Sequence, residues 1–408
     1  MRNIFCKIII FFVLALVSSC GQDPIFFTIS TETKPVKPRI QGGPTNMVIF
    51  NRADVPLMYV ASGNLHWYND TGWDSAAFNI PQPGGKVIGL AATDQHLYAL
   101  CLIGTGATTV LRRIGRHEPG WTDIGNADST YPLVQSIYAD KDSGELFAGA
   151  MNNEGSNFGI LRFDGGVLQL IAGDTGMLSG AASRRDGLET VCFLSTKGGG
   201  VFTIIDDGLG SGLANKTASQ LVGSEGRLLL GMIKIKDDND NEAIIVIQRD
   251  DGAFFEARKE GFRSLTYIGG APVTGASGKY ATGALAEWVN VNEKSQKMLI
   301  AGIQGGLFSS STTSSYSHGY VEIALDTEFT YNEGWLFLNI NRGTTNPDET
   351  VRHDTDRYTA TIGKHPINHF FQAPESIDPI MTFFASTQTA GLWSYRDRDG
   401  GLQWNAEK

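Results

Sequence analysis

From residue 45 onward, short apolar or alternating runs follow one another, separated by Gly, Asp and Asn, and no long stretch repeats at the helical period. Such runs predict strands. One unit recurs: a fully apolar run, a Gly-containing turn, a second run, then a Gly-aromatic or Gly-apolar step into a half-polar run. The first copy reads Leu57–Ala61, Leu65–Tyr68 and Thr71–Trp73, and the second Leu97–Leu102, Thr109–Leu111 and Pro119–Thr122. Later copies begin at Leu146, Val191, Ala243, Met298 and Met381, seven in all, the fourth having only a vague third run near Gly210. A further run commonly precedes each copy, as in Val87–Ala91 and Arg227–Gly231.

Early copies recur at about 46 to 49 residues, as from Gly72 to Gly120 to Gly166 in the third runs and from Leu97 to Leu146 in the first, the length of a four-stranded propeller blade. Inner strands of a blade are covered on both faces and can be apolar throughout, whereas the outermost is half solvated and alternates, as in Trp121-Thr122-Asp123-Ile124. The expected fold is therefore an all-β β-propeller of seven four-stranded blades over residues 45–408, with eight blades as the alternative count. Two β-sandwich domains would not explain one unit recurring seven times. Asp397-Arg398-Asp399-Gly400-Gly401-Leu402-Gln403-Trp404 resembles a degraded Asp-box of the BNR propeller class, with Asp399, Gly401 and Trp404 matching, and Phe163-Asp164-Gly165-Gly166 keeps only the Asp and Gly. The resemblance implies a hairpin-closing element, which speaks to fold and not to activity.

The first 44 residues read differently. Arg2 and Lys7 precede and flank an uncharged apolar run from Ile8 to Leu16, followed by Val17-Ser18-Ser19-Cys20. That is an export-signal pattern. The run is too short to span a bilayer, which takes about 20 apolar residues. The last four residues resemble the lipobox of bacterial lipoprotein precursors, which implies cleavage after residue 19 and a lipid on Cys20. An ordinary signal with a chance Cys is the competing reading. Several acyl chains would make the anchoring permanent in effect. Gly21 and Gln22 follow the Cys where an inner-membrane retention signal in that family has Asp, which favours the outer membrane. Residues 20–44 read as a Pro-containing tether, interrupted by Phe26–Ser30, a run able to pair onto the propeller and help close the ring. As a whole the chain is similar to propeller lipoproteins of spirochaetes.

Composition narrows the classes. Without Arg2 and Lys7 the chain has 31 basic against 43 acidic residues, a formal charge of −12, which argues against nucleic acid and against electrostatic attachment to anionic lipid. Glycine, 49 of 408 residues, is well above the usual share of about 7%, as a turn-rich β-fold requires. Beyond Cys6 and Cys20 only Cys101 and Cys192 remain, both inside apolar runs, so buried thiols are expected rather than a disulfide.

Candidate chemistry is sparse. No phosphate loop, nucleophile elbow or dinucleotide fingerprint is present, and no cofactor is implied. A sialidase-like glycoside hydrolase would need converging arginines. Arg112, Arg113, Arg184, Arg185, Arg352 and Arg357 are scattered, and Pro38-Arg39-Ile40-Gln41 only echoes the F-R-I-P start of such enzymes. His365-Pro366-Ile367-Asn368-His369 lacks the Glu of a zinc helix, and its Pro opposes a helix. Asp237–Glu242 begins like a calcium loop, but has Glu242 where Gly is required and Gln248 where the bidentate Glu belongs, so a solvated turn is expected.

Two departures from the repeat are more informative. The Gly261-to-Gly334 and Gly334-to-Gly401 steps span 73 and 67 residues, which places insertions at about 309–332 and 341–371. Long loops on a rigid scaffold are where binding commonly resides. The second insertion carries Arg342, Arg352, His353, Asp354, Asp356, Arg357, Tyr358, His365 and His369 as candidate binding residues. The expected function is a non-catalytic, membrane-anchored extracytoplasmic scaffold, periplasmic or surface facing, that binds a protein partner in envelope assembly. Glycan binding or sialidase-like hydrolysis is the alternative. If the insertions leave from opposite faces, they cannot share one binding surface.

Overall fold

The computed structural model describes residues 40, 42–69, 72–75, 80–104, 108–207, 216–236, 243–264, 267–268, 281–289, 297–304, 318–325, 336–338, 362, 366–398 and 401–407. Among them the chain is all-β and folds as a propeller of seven blades. Blade one holds β1 (Val48–Arg52), β2 (Val55–Ser62), β3 (Asn64–Asn69) and β4 (Gly72–Asp74). Blade two holds β5 (Lys86–Ala92), β6 (His96–Leu102), β7 (Thr109–Gly115) and β8 (Thr122–Asn126). Blade three holds β9 (Leu133–Asp140), β10 (Glu145–Met151), β11 (Phe158–Asp164) and β12 (Val167–Thr175). In blade four are β13 (Met177–Asp186), β14 (Glu189–Lys197), β15 (Gly200–Asp206) and the short β16 (Ser219–Gln220). Blade five has β17 (Leu229–Lys236), β18 (Ala243–Arg249), β19 (Phe254–Arg258) and β20 (Gly261–Ser264). After β21 (Tyr267–Ile268), blade six has β22 (Ala281–Val289), β23 (Lys297–Gln304), β24 (His318–Leu325) and β25 (Leu336–Leu338). Blade seven closes the chain with β26 (Ile367–Gln372), β27 (Phe383–Thr387), β28 (Leu392–Arg398) and β29 (Gly401–Ala406).

Every blade is an antiparallel meander in chain order. The first strands of successive blades pack on one another from β1 to β26, which makes them the inner ring. The run preceding each repeat copy in the sequence is this inner strand, and in most blades the copy supplies the three outer ones; in blade four, however, the outermost strand is β16 and not the run expected near Gly210, and in blade six the third strand is β24, inside the stretch expected as an insertion. The second strands are the most buried, with β6, β10 and β27 sealed along nearly their whole length, because neighbouring blades cover both of their faces. Cys101 and Cys192 are buried and unpaired as expected, and burial pushes their thiols up to about 11 and about 12.

Two features were not legible in the repeat. β8 and β12, the outer strands of blades two and three, pair in parallel (Val167 with Gly125, Leu168 with Asn126), joining both blades into one eight-stranded sheet. β21 pairs with β25 in the same way, so blade six has a fifth strand. Each edge covered thus is withheld from pairing with another chain.

The seam between blades seven and one closes without an exchanged strand among the described residues. Leu392 donates its N–H to the Ile40 carbonyl and Gly391 to that of Gly42. Ile40 and Met47 are buried with Tyr68, Trp73, Phe384 and Leu392, and the Tyr68 hydroxyl donates to Asp378 at 3.3 Å. Phe26–Ser30, the run expected to help close the ring, lies outside the described residues.

Candidate functional site

In an antiparallel meander, the start of the first strand, the turn between second and third, and the end of the fourth all lie at one face of the ring. At this face the inner strands share an irregularity. An extra residue interrupts the ladder at Ile88 in β5, Gln135 in β9, Ser179 in β13, Leu230 in β17 and Asn368 in β26. In β22 the register shifts between Ala281 and Leu285. Blade one does the same just ahead of β1: Thr45 donates its N–H to the Ala61 carbonyl, yet Val48 stands opposite Tyr59. β-bulges leave the extra residue unpaired and sharpen the twist. Here they recur at one level around the ring.

Small residues beside the bulges let the inner strands approach closely. A Cβ on Gly231 would lie 2.0 Å from the Gly283 carbonyl oxygen, and one on Gly180 would lie 2.8 Å from the Met232 Cβ. Side chains cover inner-strand polar groups: Ser136 donates its hydroxyl to the Leu178 carbonyl at 2.9 Å. The Asn46 amide donates to the Leu90 carbonyl while its oxygen accepts the Leu90 N–H at 3.1 Å. Ile88 and Asn368 remain exposed. None of the bulge residues carries charge, whereas the far ends of the inner strands hold Arg52, Asp140, Arg184, Arg185 and Asp186. Charge stands close by: exposed Lys86 begins β5, Lys197 stands opposite Met177, and Arg249, opposite Leu229, pairs with Asp251.

The strand order of blade six bears on the insertions. The expected 309–332 insertion is not one loop, because β24 runs through it, its Tyr320 buried against Phe370 and Trp404. Residues 305–317 join β23 to β24 and depart from the bulge face; residues 326–335 join β24 to β25 and depart from the other. The stretch between β25 and β26 also leaves from the bulge face, so the 305–317 segment and the second insertion share it.

Of the residues singled out in the second insertion, Arg342, Arg352, His353, Asp354, Asp356, Arg357, Tyr358 and His365 lie outside the described residues, as does Cys20. His369 is the exception, and its place corrects the expectation of a loop residue. It belongs to β26, the inner strand of blade seven, and stacks on Phe371. Its Nε2 is shut off from solvent without a hydrogen-bond partner, and burial holds the imidazole down at about 4, opposed by a hydrogen bond to the Met47 backbone. It is a neutral packing group.

The opposite face carries charge, most of it paired. Asp140 accepts from the N–H and hydroxyl of Ser143 and from those of Ser183. Buried Arg162 holds Asp164 at 2.8 Å, with Glu145 at 3.9 Å, and burial pushes the Glu145 carboxyl up. A cleft of about 210 Å³ between blades four and five is lined by Arg184, Asp186, Arg258, Lys259 and Glu260 over Val191 and Phe193. Lys259 reaches Glu189 across it, and the buried Glu256 binds Arg258 at 2.7 Å and Arg263 at 2.5 Å. Of the arginines singled out in the sequence, Arg112 pairs with Asp123 at 2.7 Å, Arg113 lies over Phe163, and Arg184 and Arg185 belong to blade four, so these four do not form one cluster.

No family model matches the chain, and no curated protein matches it. Among solved structures it is similar to YCF48 from Cyanidioschyzon merolae, with 12% identity, a TM-score of 0.44, and coverage of 88% of this chain and 97% of that one. A putative 6-phosphogluconolactonase from Bacteroides uniformis shows 11% identity and a TM-score of 0.47, over 89% of this chain and 95% of that one. BBS1N, solved in complex with ARL6DN, shows 10% identity and a TM-score of 0.47, over 91% of this chain and 97% of its own.

Proposed function

We propose that this chain is an extracytoplasmic lipoprotein, held to the cell envelope by a lipid on Cys20, whose propeller binds a protein partner on the bulge face. The observation that carries the reading is the strand order of blade six, from which the 305–317 segment and the second insertion leave at one face. Two connections whose flanking strand ends lie at one face of a propeller suit recognition of a large surface there. The net acidity favours a protein partner over nucleic acid or anionic lipid. The −12 charge leaves the lipid as the membrane attachment, in the outer membrane rather than the inner, and a role in envelope assembly fits that placement.

The test replaces 305–317, 339–361, or both with short Gly-Ser linkers and crosslinks whole cells. Loss of one stoichiometric envelope partner with either replacement is expected. Retention of that partner by the double replacement overturns the reading. So does turnover of a sialoside or another glycan by protein lacking residues 1–20, which would establish the glycosidase alternative.

A further inference from the structure

From blade one to blade seven, successive inner strands pack directly on one another. At the remaining seam the segment from Ile40 to Met47 lies across the junction. Its start takes hydrogen bonds from Gly391 and Leu392 of blade seven through the carbonyls of Gly42 and Ile40. Its middle is fixed to blade one, where Thr45 donates its N–H to the Ala61 carbonyl and its Oγ1 accepts the Ala61 N–H at 3.2 Å. Its end reaches blade two through the two-way Asn46–Leu90 pair, while Met47 meets His369 of blade seven. Ile40 and Met47 are 1% and 2% exposed, so both ends are driven into the seam by apolar burial.

We infer that Ile40 and residues 42–47 act as a clasp: one cooperative strap across blades seven, one and two, whose release loosens blade seven selectively. Blade seven is the consequential one, because β26 begins where the second insertion ends. The state of the clasp therefore governs how firmly the end of that insertion is held. The device is a property of the ring and stands whether or not a protein partner binds the face.

Amide hydrogen exchange on purified protein lacking residues 1–20 tests it. Asn46→Ala removes the contact with blade two and leaves the Gly391 and Leu392 hydrogen bonds and the packing of Met47 against Leu392 in place. If the strap is one unit, exchange nevertheless rises about tenfold in 383–387 and 392–395, the effect of losing one or two hydrogen bonds. Exchange in 189–206 of blade four stays unchanged. Ile40→Ala, at the near end, gives the same pattern. A rise confined to the surroundings of Leu90, or an equal rise in every blade, overturns the inference. Thr45→Val removes only one hydroxyl, which accepts from the Ala61 N–H and donates to the Asn46 carbonyl, and keeps the question open to measurement should either variant fail to fold: a rise in blade seven without one in blade four supports the clasp, and any other distribution contradicts it.

Discussion

Asp140, at the end of the inner strand of blade three, accepts both the N–H and the hydroxyl of Ser183 in blade four, the first at 3.0 Å. With Ser143 supplying two further donors, this buried carboxylate ties two blades through one side chain. Asp140→Ala leaves those donors without their acceptor and should cost about 2–4 kcal/mol in denaturant unfolding. Asp123→Ala, which removes an exposed partner of Arg112, should change stability by less than about 1 kcal/mol. Equal effects would show that the Asp140 contacts do not hold the seam.

The glycines of the inner ring are not interchangeable with those of the turns. Gly231→Ala drives a methyl into the Gly283 backbone and should destabilise by about 1–3 kcal/mol or more. Gly120, with nothing within 4 Å of a built Cβ, should accept Ala within about 0.5 kcal/mol. Thermal melts of the two variants side by side decide whether blades five and six meet backbone to backbone.

His369 predicts an acid sensitivity of defined sign. Its folded pKa of about 4 lies below the ordinary 6.5, so the unfolded chain binds the extra proton between those values. The stability that neutral His369 supports is complete above about pH 6.5 and falls as the pH drops toward 4. His369→Gln should therefore flatten the decline in melting temperature between pH 7 and pH 4.5 relative to the unmodified protein. Parallel curves would mean that the imidazole titrates normally.

Cys20→Ala separates anchor from fold. The variant should move from the membrane to the soluble fraction while its unfolding midpoint stays unchanged. Persistence in the membrane fraction would require an attachment other than the lipid.

The second strands of the blades are legible because burial on both faces imposes apolar runs, and Gly, Asp and Asn mark most turns; β16 and β24 are not, since the first is two exposed residues and the second lies within the stretch that reads as an insertion. The inner strands were harder to read. A bulge shifts the two-residue alternation by one, so Ile367-Asn368-His369-Phe370 no longer reads as a strand although Ile367 and Phe370 are both buried. For that reason His369 was grouped with the insertion before it. The small residue that marks several of the other bulges, as in Ile88-Gly89, Ser179-Gly180 and Leu230-Gly231, is missing at Asn368-His369, so no local signal places His369 in the strand. Pairing between β8 and β12 rests on backbone hydrogen bonds, which leave little trace in residue type. The Asp140 contacts likewise join residues about 40 positions apart with no local motif.

The central claim, a protein partner on the bulge face, is tested most directly by site-specific photo-crosslinking in cells. One probe replaces Gln388, exposed in the turn between β27 and β28 on that face; the other replaces Leu188, 88% exposed in the turn between β13 and β14 on the opposite face. A discrete crosslinked envelope protein is expected from position 388 and none from position 188. The same product from position 188 alone would contradict it.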